Sequence, residues 1–137
     1  DAKDGSCIDL SKVAPPSVQA YDQSYIADMP EGWYAITNQR LGLGLGVVFP
    51  REVFRYLWYW QSLGGGFGYP FYGRAYNVGL EPFTSYTNEG LGVAVENGTA
   101  LKVAPGQRVE ASVKAVAFTG AQRVARINPD GSIEFMR

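Results

Sequence analysis

The chain has no histidine among its 137 residues and only one cysteine, Cys7. Ser–His–Asp triads, Cys–His pairs and His-ligated zinc all need an imidazole, so the sequence excludes each of them within this chain. A single cysteine forms no internal disulfide, and no cysteine cluster exists to hold a metal. These absences remove most of the common enzyme mechanisms and predict that the chain has no metal site.

Excess charge and long apolar runs are lacking as well. Twelve Lys and Arg stand against 13 Asp and Glu, which leaves no broad positive surface for nucleic acid or an anionic membrane. The apolar run Leu41 to Phe49 has nine residues, too few for a transmembrane helix. The polar start, Asp1 to Gly5, has no signal-peptide pattern. A single cysteine and the lack of a signal-peptide pattern together favour a cytoplasmic location.

Aromatic residues are abundant and concentrated in one part of the chain. They make up 14% of the sequence, and twelve of them lie between Val53 and Tyr86. Only three charged residues occur in that window, namely Arg55, Arg74 and Glu81. A charge in such an apolar stretch is expected to be paired or to have a functional task.

Short β-rich runs separated by proline and glycine predict an all-β fold. Runs of this length and spacing are typical of an antiparallel β-sandwich or barrel, and we expect the sandwich. The expected organisation is an irregular segment at residues 1–20 followed by one β-sandwich domain at 21–137. A weak helical turn is predicted at Asn88 to Glu96. The predicted strands are Gly32–Asn38, Leu41–Phe49, Val53–Ser62, Arg74–Tyr86, Ala100–Val103, Gln107–Thr119, Arg123–Ile127 and Ser132–Met136.

The run LGLGLG at 41–46 does not match a dinucleotide-binding fingerprint, because its glycines recur at every second residue and no helix follows. On a strand these glycines would share one face. We expect that face to be small because another sheet or a ligand approaches it closely.

The strand around Trp60 is a candidate sugar-binding surface. Alternation places Phe54, Tyr56, Trp58 and Trp60 on one face, with Gln61 on the other. Aromatic rings can stack on the apolar C–H face of a pyranose, and amides can bind its hydroxyl groups. For the aromatic face, packing in a core is the favoured interpretation and sugar binding is the alternative. For Gln61, at the strand end beside Gly64–Gly66, the two interpretations are balanced.

Glu81 is the candidate general base. On its strand it shares a face with Ala75, Asn77 and Gly79, which leaves room beside the carboxylate, and Pro82 favours an extended backbone. Desolvation in such surroundings would raise the pKa of this carboxyl group and make it a better base. The alternative is a buried ion pair with Arg74 or Arg55.

Several motifs resemble one known family. EGWYAITN, GLGLGVVFPREVFRYLWYWQ, GYPFYGRAYNVGLEPFTSY and NGTALKVAPGQ occur in this order, and they resemble the C-terminal half of aldose 1-epimerase (galactose mutarotase-like) proteins, especially poorly characterised bacterial members. The resemblance covers roughly Tyr21 to Arg137. It implies the C-terminal half of a mutarotase-like supersandwich, with Glu81 as the general base of a sugar isomerase that needs no cofactor.

The same resemblance defines the expected ligand and the departures from the family. A small-molecule sugar would contact Trp60, Gln61, Arg74 and Asn77. The family's catalytic histidine and a sugar-binding arginine belong to the N-terminal half, and this chain has no histidine. We therefore expect a fragment or a relative that binds without turnover, and a homo-oligomer or a companion chain that covers open sheet edges. The other hypotheses are a non-catalytic carbohydrate-binding β-sandwich and a structural assembly domain.

Overall fold

The computed structural model describes residues 5, 7 and 9–136, and this part of the chain is built almost entirely from strands. The prediction of an all-β fold is confirmed, whereas its arrangement as a sandwich stays a prediction. Before the first strand comes a single 3₁₀ turn, and one short helix, α1, follows the fifth strand. No helix in the described residues is long and apolar enough to cross a membrane. The bounds are Pro16–Val18 for the 3₁₀ turn, then β1 Ala20–Ile26, β2 Trp33–Asn38, β3 Leu43–Val48, β4 Tyr56–Leu63, β5 Tyr76–Phe83, α1 Leu91–Glu96, β6 Lys114–Thr119, β7 Val124–Ile127 and β8 Ile133–Phe135.

The strands form three small sheets. Their orders are β1-β4-β5, β2-β3-β6 and β7-β8. The chain also divides into two compact units. The first contains the described residues up to Ser24 together with Tyr59–Gly79, and the second contains Tyr25–Trp58 and the described residues from Leu80 onward. The second unit holds the whole of the sheets β2-β3-β6 and β7-β8.

The LGLGLG run becomes the turn and the central strand of the sheet β2-β3-β6. Gly42 lies in the turn with φ of 62°, a conformation that favours glycine. Gly44 and Gly46 then face one side of β3, opposite Phe118 and Val116 of β6 in the antiparallel register. The ring of Phe118 covers Gly44, and the Ile127 side chain covers Gly46. The small face therefore accommodates Ile127 of β7, which belongs to another sheet.

The strand β4 alternates between a buried and a half-buried face. Leu57, Tyr59 and Gln61 are buried, and Leu63 is completely inaccessible. On the opposite face Tyr56, Trp58 and Trp60 are half-buried, and Ser62 near the end of the strand is buried. The aromatic face of the predicted strand is thus the more accessible of the two.

Three segments differ from the sequence-based expectation. The strand predicted at Ala100–Val103 is wrong: no strand forms there, because the amide of Ala100 donates to the carbonyl oxygen of Ala94 at the end of α1. The strand β1 begins inside the segment predicted to be irregular, part of which lies outside the described residues. The predicted strand at 107–119 is paired only from Lys114, because Lys114 lies opposite Val48, the last residue of β3. Residues 107–113 have no partner strand in the part of the chain that the structure describes. The predicted helical turn at 88–96 forms as α1. The strands predicted at 123–127 and 132–136 form as β7 and β8, which pair with each other in antiparallel orientation.

Candidate functional site

Glu81 lies on β5 in the second unit, and its side chain is half-buried. The ion pairs found among the described residues do not include this carboxylate. The guanidinium of Arg55, one of the two arginines considered as a partner, instead donates from Nη2 to the carbonyl oxygen of Thr99 at 2.8 Å. Arg74, the other, is exposed and also belongs to none of these ion pairs. Glu81 therefore has no cationic partner among the described residues.

Tyr34 of β2 is the residue on which the charge of Glu81 has a resolved effect. Burial of the phenol raises the pKa of Tyr34, and the negative charge of Glu81 raises it further. Both residues belong to the second unit. Because a phenol is protonated at neutral pH, the pair combines a carboxylate with a group that carries a proton.

Tyr34 is a functional candidate that the sequence pattern did not indicate. The only sequence signal was its place in the predicted strand Gly32–Asn38, where alternation separates it from Trp33. Nothing in that strand indicates which distant residue approaches it. The pairing of β2 with β3 places Tyr34 opposite Val47, and the Tyr34 ring also lies 6.5 Å from that of Phe49. Packing thus supplies the burial that raises its pKa.

The second unit contains a cluster of aromatic rings around Trp58 of β4. Trp58 stacks on Phe83 with ring centroids 3.7 Å apart and an angle of 9° between the planes. The Trp58 indole donates from Nε1 to the carbonyl oxygen of Ser85 at 2.8 Å. Tyr25 meets Trp58 edge-on at 5.5 Å and lies 5.4 Å from Tyr86. These contacts fix Trp58 in the packing of the second unit, so its polar N–H is already satisfied.

The predicted sugar contacts Trp60, Gln61, Arg74 and Asn77 all belong to the first unit. Trp60 and Gln61 are neighbours on β4, Asn77 lies on β5, and Arg74 precedes β5. Arg74 and Asn77 are exposed, whereas Gln61 is only 6% exposed. The two exposed side chains are accessible to a ligand, and Gln61 is largely withdrawn from the surface.

Trp60 belongs to an aromatic cluster in the first unit. Its ring lies 6.5 Å from Tyr21 in an edge-on arrangement and 5.5 Å from Phe71. Tyr21 and Phe71 are 5.9 Å apart, which closes a triangle of rings. Most of the Trp60 surface is therefore covered by its neighbours, and a part remains accessible.

The loop between β4 and β5 exposes several further aromatic rings. Tyr69 is 85% exposed, Phe67 64% and Tyr72 60%, and the rings of Tyr69 and Tyr72 meet edge-on at 6.2 Å. Large aromatic side chains are more often half-buried than this. Their exposure makes the loop a second surface on which a planar apolar face could stack.

The first unit contains two buried polar side-chain atoms without a hydrogen-bond partner among the described residues. Ser62 Oγ and Gln23 Nε2 are inaccessible and have no hydrogen-bond partner among the described residues. A buried polar atom without a partner is costly, so native structures contain few of them. No group of three or more potential metal ligands occurs in the described part of the chain.

No protein-family model, curated protein or solved structure matches this chain. The resemblance to aldose 1-epimerases therefore rests on the motifs quoted above.

Proposed function

We propose that the chain is a carbohydrate-binding, aldose 1-epimerase-like protein in which Glu81 is the general base that interconverts sugar anomers. The observation that carries this proposal is the half-buried Glu81 carboxylate without a cationic partner among the described residues. A structural carboxylate at such a position would be expected to form an ion pair, whereas a catalytic base has to remain able to accept a proton. The resemblance to aldose 1-epimerases adds support, because Glu81 lies within the GLEP motif that is part of it.

The reaction needs a proton acceptor and a proton donor. Glu81 takes the proton from the anomeric hydroxyl group, and the C1–O bond of the ring breaks as the carbonyl forms. The ring oxygen then needs a proton, which the family takes from a histidine that this chain lacks. Tyr34 is our candidate donor, because a phenol is protonated at neutral pH and the charge of Glu81 acts on this one. Rotation about C1–C2 and reversal of both proton transfers give the other anomer.

We propose Trp60, Gln61, Arg74 and Asn77 as a sugar-binding surface of the first unit. The exposure of Arg74 and Asn77 supports a role in binding hydroxyl groups. The open part of Trp60 supports stacking on a pyranose face. Gln61 has weaker support, because it is nearly inaccessible.

The test is ligand-observed NMR with free aldoses, recording saturation transfer and exchange between the α and β signals in the same samples. We expect Glu81→Gln to abolish accelerated exchange and to retain saturation transfer, because the amide keeps the shape and loses the basicity. Glu52→Gln is the matched control, since Glu52 is exposed and makes none of the hydrogen bonds or ion pairs found among the described residues. Unchanged exchange in Glu81→Gln would refute the catalytic role.

The exposed loop aromatics favour a second candidate function, a carbohydrate-binding module without catalysis. In that case the sugar would stack on Tyr69 or Tyr72, and wild-type protein would show saturation transfer without accelerated exchange. Tyr69→Ala should then remove the transfer without unfolding, because this ring is 85% exposed. Trp60→Ala tests the other surface, and unfolding of that variant would assign Trp60 to the core.

A further inference from the structure

Two arginines line a small polar pocket in the second unit that the proposed sugar chemistry does not use. The pocket has a volume of about 100 Å³ and is lined by Asp28, Met29, Arg51 and Arg55. Pockets for whole organic ligands are several times larger, at about 300–1,000 Å³. A space of this size fits a small anionic group rather than a complete sugar.

A single helical turn brings the two arginines together. The amide groups of Val53 and Phe54 both donate to the carbonyl oxygen of Pro50, at 3.1 and 2.9 Å. Arg51 lies within this turn and Arg55 follows it directly, and both side chains line the pocket.

Neutral acceptors hold both guanidinium groups in place. Arg51 donates from Nη1 to the carbonyl oxygens of Met29 at 2.5 Å and Pro30 at 3.0 Å. Arg55 donates from Nη2 to Thr99 and lies over the Tyr56 ring, with Cζ 5.7 Å from the centroid. Carbonyl oxygens and a ring do not neutralise the positive charges, and an arginine has five N–H donors. Each guanidinium therefore keeps unused donors in a fixed orientation.

Asp28 provides the opposing charge in the pocket. Its carboxylate lines the same space, but no ion pair joins it to Arg51 or Arg55 in the described residues. The pocket thus has two positive groups and one negative group. Asp28 would weaken the binding of any anion, although it could accept a hydrogen bond from a ligand hydroxyl group.

We propose that Arg51 and Arg55 form a binding site for the phosphate group of a small phosphorylated ligand. Two guanidinium forks present donors from separate directions, which suits the three outer oxygens of a phosphate monoester better than the two oxygens of a carboxylate. The pocket accepts the phosphate group, and the rest of the ligand lies outside it. The proposal goes beyond the sugar epimerase function and does not depend on Glu81.

The experiment is a titration of the whole chain with inorganic phosphate at low ionic strength, followed by the NMR signals of the arginine Nε–H groups. We expect the Arg51 and Arg55 signals to shift along one saturable curve, while Arg40, in the exposed β2–β3 turn, does not respond. Arg55→Gln should weaken binding about tenfold, the effect of losing a charged hydrogen bond. Arg40→Gln is its control and should leave the affinity unchanged.

Asp28→Asn provides a variant that keeps both arginine contacts. It should bind phosphate several-fold more tightly, because it removes the negative charge from the pocket. Glu96→Gln changes the net charge equally at an exposed site and should have no effect. The proposal is overturned if phosphate shifts are not saturable, if Arg40→Gln weakens binding as much as Arg55→Gln, or if Asp28→Asn and Glu96→Gln behave alike. Equal affinity for acetate would overturn the preference for phosphate.

Discussion

Gly46 offers a direct test of the packing in the second unit. A Cβ built on Gly46 would lie 2.1 Å from Cδ1 of Ile127, whereas carbon atoms in contact are normally about 3.5–4.0 Å apart. Ile127 is only 2% exposed, so its methyl group has little space into which to move. Gly46→Ala should therefore overpack this contact between β3 and β7.

The expected cost follows from two opposing effects. Overpacking a dense core costs about 1–3 kcal/mol. Replacing a strand glycine by alanine returns about 0.5–1 kcal/mol of conformational entropy. We expect Gly46→Ala to lower the free energy of unfolding by roughly 1 kcal/mol, the difference between the midpoints of these two ranges.

Ile127→Val removes the clashing atom and should rescue the alanine. The next contacts of the new Cβ would be Tyr34 O at 3.4 Å and Ile127 Cγ1 at 3.5 Å, both ordinary separations. Ile127→Val alone should cost about 0.5–1.5 kcal/mol through the lost methyl group. In the double variant the new Cβ partly fills that space, so its loss should be about 1–2 kcal/mol smaller than the two single losses together.

Urea unfolding followed by tryptophan fluorescence measures all four proteins of this cycle. Gly92→Ala is the control, because a Cβ there meets nothing within 4 Å and the residue lies in α1. That variant should gain stability, as expected for alanine in a helix. The contact between Gly46 and Ile127 would be refuted if Gly46→Ala were as stable as the wild type, or if the effects of Gly46→Ala and Ile127→Val were strictly additive.

Three further predictions concern the Tyr34–Glu81 pair and a glycine of the first unit. Glu81→Gln should lower the pKa of Tyr34 toward its ordinary value without reaching it, since burial remains; ultraviolet difference titration against Tyr34→Phe measures this, and an unchanged pKa would contradict the coupling. Because the folded-state pKa of Tyr34 is raised, its contribution to the free energy of unfolding is complete below about pH 10 and is lost at higher pH. In urea unfolding, Tyr34→Phe should therefore lose less stability between neutral and alkaline pH than the wild type does. Equal losses in the two proteins would argue against this contribution of Tyr34. Gly65→Ala should cost about 2 kcal/mol or more, because its Cβ would lie 2.0 Å from the backbone oxygen of Gln19, which cannot rotate away; a thermal midpoint equal to that of the wild type would exclude this contact.

Much of the strand pattern could be predicted from the sequence because it depends on local order. Alternation and bounding turn residues predicted β2, β3, β7 and β8 to within a few residues. The every-second-residue glycines predicted a small strand face, and Ile127 packs against it. These features need no knowledge of which distant segments meet.

The remaining differences arise where pairing between distant segments decides the outcome. Gln107–Val113 alternates as well as Lys114–Thr119 does, yet only the latter has β3 beside it. In β1, polar residues such as Asp22 and Gln23 obscure the alternation, so its strand was not predicted. For β4, periodicity separated the two faces correctly and could not show that the side of Leu57 is the buried one.

For the candidate site, too, the sequence indicated a residue, Glu81, but not the residues that surround it. Composition singled out Glu81, because it is the only carboxylate in an aromatic window, and two arginines were its expected partners. The fold instead directs Arg55 to a backbone carbonyl and leaves Tyr34 as the residue that responds to the charge of Glu81. An arginine partner would stabilise the carboxylate form and weaken it as a base, whereas a neutral phenol leaves the carboxylate able to accept a proton. The absence of that ion pair, more than the presence of Glu81, therefore favours a chemical role over a structural one.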